Sequence, residues 1–133
     1  MRDSHYPKSG DPIVFFDFET TGLCSKNDSI IEIAAVKYLP GADSHPHMAQ
    51  LITIDRPLPR FITKLTGITD DMLRADGRRM DEVLDEFIDF IGVHPVVAFN
   101  INLDARFLDA VRRFSFFAGL CCKTGAKNPW YAH

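Results

Sequence analysis

Apolar and polar residues alternate along this chain with two different periods, and the change of period divides it into strands and helices. Residues 1–12 are polar, carry Pro7, Gly10 and Pro12 as breakers, and read as a flexible lead-in. Order begins at Ile13-Val14-Phe15-Phe16, a continuous β-branched and aromatic run of the kind expected for a strand buried on both faces. It passes directly into Asp17-Phe18-Glu19 and the turn-forming Thr20-Thr21-Gly22, so a central strand ends in acids. Residues 30–38 predict a second strand and Met48 to Asp55 a third, separated by a loop containing Pro40, Gly41 and Pro46. Short connections favour antiparallel pairing among these three strands.

The period then lengthens. Arg60 to Leu65 predicts a short helix closed by Gly67, and Thr69 is suited to cap a turn through Asp70, Asp71, Met72 and Leu73. From Met80, apolar residues at Val83, Leu84, Phe87, Ile88 and Ile91 make a helical stripe opposite an acidic face, with Gly92 as its stop. Pro95 to Phe99 predicts a fourth strand, and Asn102 to about Phe117 a further helix facing inward through Phe107, Leu108, Val111 and Phe114. The order of elements implies an α/β fold with a mixed parallel and antiparallel sheet flanked by helices. Residues 13–133 are expected to form one domain that is incomplete at its C-terminal end, because the stretch after Phe117 reads as a connection with nothing to connect to.

Composition narrows this picture. With 133 residues, 46% of them hydrophobic, the chain has enough apolar material for one core. No apolar run approaches the ~20 residues that span a bilayer, and the N-terminus lacks a hydrophobic signal, so a cytoplasmic protein with no membrane partner is expected. Cys24, Cys121 and Cys122 form no even framework and no zinc-ligand spacing, which fits a reducing compartment. A net charge of −3 argues against a protein that binds nucleic acid by coating phosphates with cations. Residues 105–133 are nevertheless basic, with Arg106, Arg112, Arg113, Lys123 and Lys127 against Asp109 alone.

The acids carry the candidate chemistry. Residues two apart in a strand share a face, roughly 7 Å from one another, so Asp17 and Glu19 point the same way. Carboxylates ~5 Å apart at an effective dielectric near 20 repel by about 3 kcal/mol, which raised pKa values or a bound cation must offset. Magnesium or manganese suits such oxygen donors. Asp104 stands in the first turn of the last predicted helix, after a strand and two asparagines, at the sheet edge where α/β proteins gather ligands.

Four segments together resemble a known family. Phe16-Asp17-Phe18-Glu19-Thr20-Thr21-Gly22-Leu23 is similar to the first motif of the DEDD exonucleases, the DnaQ-like enzymes of ribonuclease H-like fold, and Ile30 to Val36 to the strand that follows it. Leu65 to Leu73 resembles the family's Thr-Gly-Ile-Thr segment, and Asn100 to Asp104 with Phe107-Leu108 its second motif. The resemblance implies a 3′→5′ exonuclease acting on single-stranded DNA or RNA ends, with two divalent ions, Mg²⁺ or Mn²⁺, as cofactors. It implies that Asp17 bridges both ions, that Glu19 holds the one activating water, and that Asp104 helps hold the other; such a pair ~4 Å apart stabilises both the attacking and the leaving oxygen. Thr20, Thr21, Gly22 and Leu23 would receive the terminal nucleotide, Leu23 as an apolar wedge. Asn100 and Phe107 would be substrate-side contacts, Phe107 serving equally well as plain core.

Two departures bear on activity. Phe99 stands where the second motif usually opens with His, and Leu103 where it carries an aromatic residue. The third motif, which in the His-containing branch supplies a general base and a fourth acid, is missing; His133 has no acid after it, and Lys127 to Tyr131 resembles the connection leading into a fifth strand. His5, His45, His47 and His94 fall in loops or the lead-in. Three readings follow: an exonuclease impaired in this form, a noncatalytic nuclease fold that binds nucleic acid or a DNA polymerase, and a homodimer that covers an exposed sheet edge.

Overall fold

The apolar run at Ile13 becomes the strand on which the other elements are assembled. A computed structural model describes residues 9–98 and 100–112, of which 111 and 112 are described in backbone alone. Its elements are β1 (Ile13–Thr20), β2 (Ile30–Tyr38), β3 (His47–Leu51), α1 (Arg60–Thr66), α2 (Asp70–Asp76), α3 (Met80–Ile91), β4 (Val96–Val97) and α4 (Ile101–Arg112). The sheet order is β3-β2-β1-β4, with β1, β2 and β3 antiparallel and β4 parallel to β1. This is the mixed sheet expected from the element order.

The helix boundaries follow the signals written in the residues. Gly67 closes α1 in the left-handed conformation at φ 78°, which a side chain would disfavour. The Thr69 hydroxyl caps α2 by accepting from the Met72 N–H, and two acids occupy the first turn, where the helix dipole favours them. Gly92 ends α3.

Two strands are shorter than expected. The β3 ladder ends at Leu51, and Ile52 then makes an isolated parallel bridge to Arg78, leaving residues 53–55 outside any strand. In β4 only Val96 and Val97 pair, so the strand stops before the end of its apolar run. Phe99 and the expected extension of α4 to Phe117 lie outside the described residues. No helix among the described residues is long and apolar enough to cross a membrane.

One expectation for β1 is corrected. Val14, Phe16 and Phe18 are buried, whereas Phe15 is 45% exposed and Asp17 is exposed. Among the described residues, the strand is covered on a single face. Its inward rings meet α3, with Phe16, Phe18 and Phe87 mutually 5.1, 5.4 and 5.5 Å apart between centroids. Ile101, Phe107 and Leu108 of α4 complete that cluster. A second cluster of Ile31, Leu58, Ile62, Ile68 and Leu73 contains no β1 residue, so nothing in it covers Phe15.

A break in register links the two clusters. Glu19 pairs with Glu32, yet Thr20 pairs with Ile30, so β2 holds one extra residue, Ile31, at this point. Such a bulge rotates the strand locally. Consecutive isoleucines consequently enter different clusters, Ile30 the one beneath β1 and Ile31 the other.

The one-sided cover of β1 predicts unequal effects of losing its aromatic neighbours. Phe87→Ala should lower the unfolding free energy by about 3–5 kcal/mol. Phe15→Thr should change it by about 1 kcal/mol or less. Urea unfolding followed by circular dichroism measures both, and comparable losses would show that β1 is packed on two sides.

Candidate active site

The pairing register places the acids of β1. Residues 16 and 18 face the core, so Asp17 and Glu19 project from the opposite face, as their spacing predicts. Cross-strand partners share a face: Ala34 lies opposite Asp17, and Glu32 lies opposite Glu19. Glu32 was not singled out from the sequence. A charged residue inside Ile-Ile-Glu-Ile was the available signal, but its alignment with Glu19 depends on the register of the β1–β2 ladder, which runs unbroken from Ile13↔Tyr38 to Glu19↔Glu32. Like charges directly opposite are unfavourable. Glu19 has its pKa raised first by burial, then by the charges of Asp17 and Glu32; that of Glu32 is raised by burial and then by Asp17.

Asp104 reaches the same strand from the other side of the sheet. The Val14 N–H donates to the Pro95 carbonyl at 2.9 Å, so even-numbered N–H groups of β1 point toward β4. The Phe18 N–H, one of these, donates to the Asp104 carboxylate. The helix is held for this by its first turn, where the Asn100 carbonyl accepts from the N–H groups of Leu103 and Asp104 at 3.1 and 3.2 Å. Ile101, Asp104 and Leu108 share the inward stripe of α4, which carries the acid into the core boundary. Asp104 is only 5% exposed. Burial, followed by the charge of Asp17, pushes its pKa to about 7, against the opposing effect of the Phe18 hydrogen bond; Glu19 adds to the upward shift.

Three acids expected to act together thus sense one another's charge at the end of β1, joined by Glu32. The ion pairs among the described residues involve Arg74, Arg78 and Arg79 with Asp71, Asp81, Glu82 and Glu86, none of them in this group. An oxygen-only donor set with unrelieved repulsion fits a hard divalent cation. Among the described residues no three His, Cys, Asp or Glu side chains stand at the spacing of a formed metal cage. The donors are assembled in kind and neighbourhood without being closed around an ion.

The loop after β1 is tightly bonded. The Thr20 hydroxyl donates to the Gly22 carbonyl at 2.7 Å. Thr21 is buried, its hydroxyl donating to Asp28 Oδ1 and accepting from the Ser29 N–H, both at 3.0 Å. That hydroxyl is committed inside the loop, whereas Leu23 is 78% exposed and Gly22 half-buried. Asn100 is exposed at the start of α4; Phe107, which suited either substrate or core, is core. Phe99, Arg113, Lys123, Lys127, the cysteines at 121 and 122, the connection at 127–131 and His133 lie outside the described residues.

The RNase_T family model, described as an exonuclease, matches residues 14–118. DNA polymerase III PolC-type of Bacillus cereus is 38% identical over 108 residues, covering 81% of this chain and 7% of that protein. The corresponding Bacillus subtilis protein is 43% identical over 123 residues, covering 87% of this chain and 8% of its own length. The chain therefore spans less than a tenth of the curated relatives it matches. Among solved structures, apo Exonuclease I superposes with a TM-score of 0.70 at 18% identity, covering 81% of this chain and 26% of that one. Escherichia coli Exonuclease I in complex with a dT13 oligonucleotide superposes at 0.68, also at 18% identity, covering 83% and 26%. That likeness shows the shared fold, and the family match and the PolC-type identities together show that this chain belongs to the RNase_T family of DEDD-type exonucleases.

Proposed function

We propose that this chain is the nuclease portion of a 3′→5′ exonuclease that removes nucleotides from single-stranded DNA ends beside a DNA polymerase. The observation that carries the reading is the seat of Asp104: a buried carboxylate bonded to the Phe18 N–H, within the field of Asp17 and Glu19 on either side of that residue. A carboxylate held in this way against like charges is unfavourable unless a cation joins it. The PolC-type relatives and the oligonucleotide complex of the structural neighbour favour DNA over RNA.

In this reading Asp17, Glu19 and Asp104 hold the divalent ions, with Glu32 adding negative charge beside Glu19. Bound Mg²⁺ or Mn²⁺ supplies a lowered water pKa and positive charge at the scissile phosphate. Asp17 and Glu19 are presented by a rigid central strand, so their spacing is set by backbone geometry. Asp104 is presented by α4 and must give up its proton to serve as a ligand. Leu23, exposed at the end of the loop, offers an apolar surface against the terminal base, and Gly22 precedes it in the same segment.

With a 5′-labelled single-stranded oligonucleotide and Mn²⁺, the chain should generate a ladder shortening from the 3′ end. Chelation should abolish it, and Asp17→Ala or Asp104→Ala should slow it at least about a hundredfold, since even indirect partners of metal ligands are worth 10–100-fold. Binding of the oligonucleotide without shortening would instead identify a noncatalytic module.

The proton on Asp104 predicts a pH dependence whose sign is fixed. Its carboxyl titrates at about 7 in the folded chain and near 3.9 when unfolded, so the folded state retains a proton that the unfolded state has lost. Without metal, this contribution to stability is therefore full below about pH 4 and is lost as pH rises through about 7. Thermal melts of metal-free protein should show Tm falling over that window. Asp104→Asn, which keeps an acceptor for the Phe18 N–H, should flatten the fall; an equally steep fall in the variant would assign it to other groups.

A further inference from the structure

We infer that Asp28 is a positioning residue for substrate: its carboxylate braces the Thr20–Leu23 loop from behind and so fixes how Gly22 and Leu23 are presented to a 3′-terminal nucleotide. The inference rests on the exonuclease reading and assigns a role to a residue outside the metal-holding acids.

Both oxygens of Asp28 are used within the loop. Oδ1 accepts from the Thr21 hydroxyl and Oδ2 from the Cys24 N–H, each at 3.0 Å. Thr21 in turn accepts from the Ser29 N–H, and its own N–H donates to the Ser29 carbonyl at 2.9 Å. The Cys24 carbonyl accepts from the N–H groups of Asn27 and Asp28 at 3.0 and 2.7 Å, which closes the turn. The carboxylate thereby ties the strand exit at Thr21 to the far arm of the loop, with Gly22 and Leu23 held between its two contacts.

The same carboxylate explains the glycine. A Cβ built on Gly22 would lie 2.5 Å from Asp28 Oδ2, 2.7 Å from Cγ and 2.8 Å from Oδ1. Gly22 is absent from the positive-φ glycines, so space and not backbone conformation demands a glycine here. Residue 22 is small because Asp28 is packed against its peptide. Leu23, the following residue, projects outward from this fixed peptide at 78% exposure. Loss of the brace frees the segment that would meet the terminal nucleotide while leaving Asp17 and Glu19 anchored in β1, so metal binding and substrate binding should separate.

The test uses the full chain with Mn²⁺ and a single-stranded oligonucleotide. Asp28→Ala should raise KM about tenfold with Mn²⁺ affinity unchanged, the scale expected for a residue that orients a functional group. Trypsin cleavage after Lys26, which lies within the braced loop, should accelerate. Gly22→Ala alone should also raise KM, but adding it to Asp28→Ala should worsen KM by no more than about twofold, because the group it would collide with is gone. Unchanged KM in Asp28→Ala, or a Gly22→Ala effect of the same size in both backgrounds, would overturn the inference while leaving the exonuclease reading standing. A wild-type chain that neither binds nor shortens the oligonucleotide would overturn that reading and the substrate role of Asp28 together; faster Lys26 cleavage would then mark Asp28 as a structural staple only.

Discussion

The backbone N–H of Phe18 is the joint on which the candidate site depends. Among the described residues β4 pairs with β1 at Val14↔Val96 and Phe15↔Val97, and Phe18 lies three residues further along β1. A buried N–H without an acceptor is unfavourable by about 1–3 kcal/mol, and Asp104 meets that need from the first turn of α4. The constraint acts in both directions. It gives β1 a satisfied edge, and it fixes a carboxylate beside two others that the strand already carries.

The result is a fold in which stability and chemistry pull apart at one place. Phe16, Phe18 and Phe87 bury an aromatic cluster beneath β1, while the opposite side of the same strand carries Asp17 and Glu19 facing Glu32. The aromatic side anchors the backbone; at the acidic end, burial first and like charge second raise the pKa values of Glu19, Glu32 and Asp104. Local arrangements of this kind are typical of functional sites, where a bound ion or ligand supplies the missing opposite charge. The loop after Glu19 is organised differently, since the carboxylate of Asp28 finds donors for both of its oxygens within a few residues.

Much of this was legible in the residues, because it depended on short-range rules. The acids ending an apolar strand, the glycine stops at 67 and 92, the Thr69 cap and the antiparallel order of the first three strands all follow from neighbours in sequence. What escaped depended on partners distant along the chain. Glu32 could be placed opposite Glu19 only by knowing the register of the whole β1–β2 ladder. Phe15 looked buried because its run is apolar, yet which face of a strand is covered depends on where helices dock. Thr21 belonged to a motif whose residues meet substrate, and its hydroxyl turned out to be spent on Asp28, seven residues later. The hydrogen bond between the Phe18 N–H and Asp104 has no local signal at all, since its partners stand far apart along the chain.

In the proposed exonuclease, Asp17, Glu19 and Asp104 hold the divalent ions at one shared site. Paramagnetic broadening tests it directly: amide resonances of ¹⁵N-labelled chain are followed as substoichiometric Mn²⁺ is added. The amides of residues 17–20 and those around Asp104 should broaden together and first. Broadening confined to the acidic face of α3, or reaching residues 17–20 while sparing the turn that carries Asp104, would contradict it.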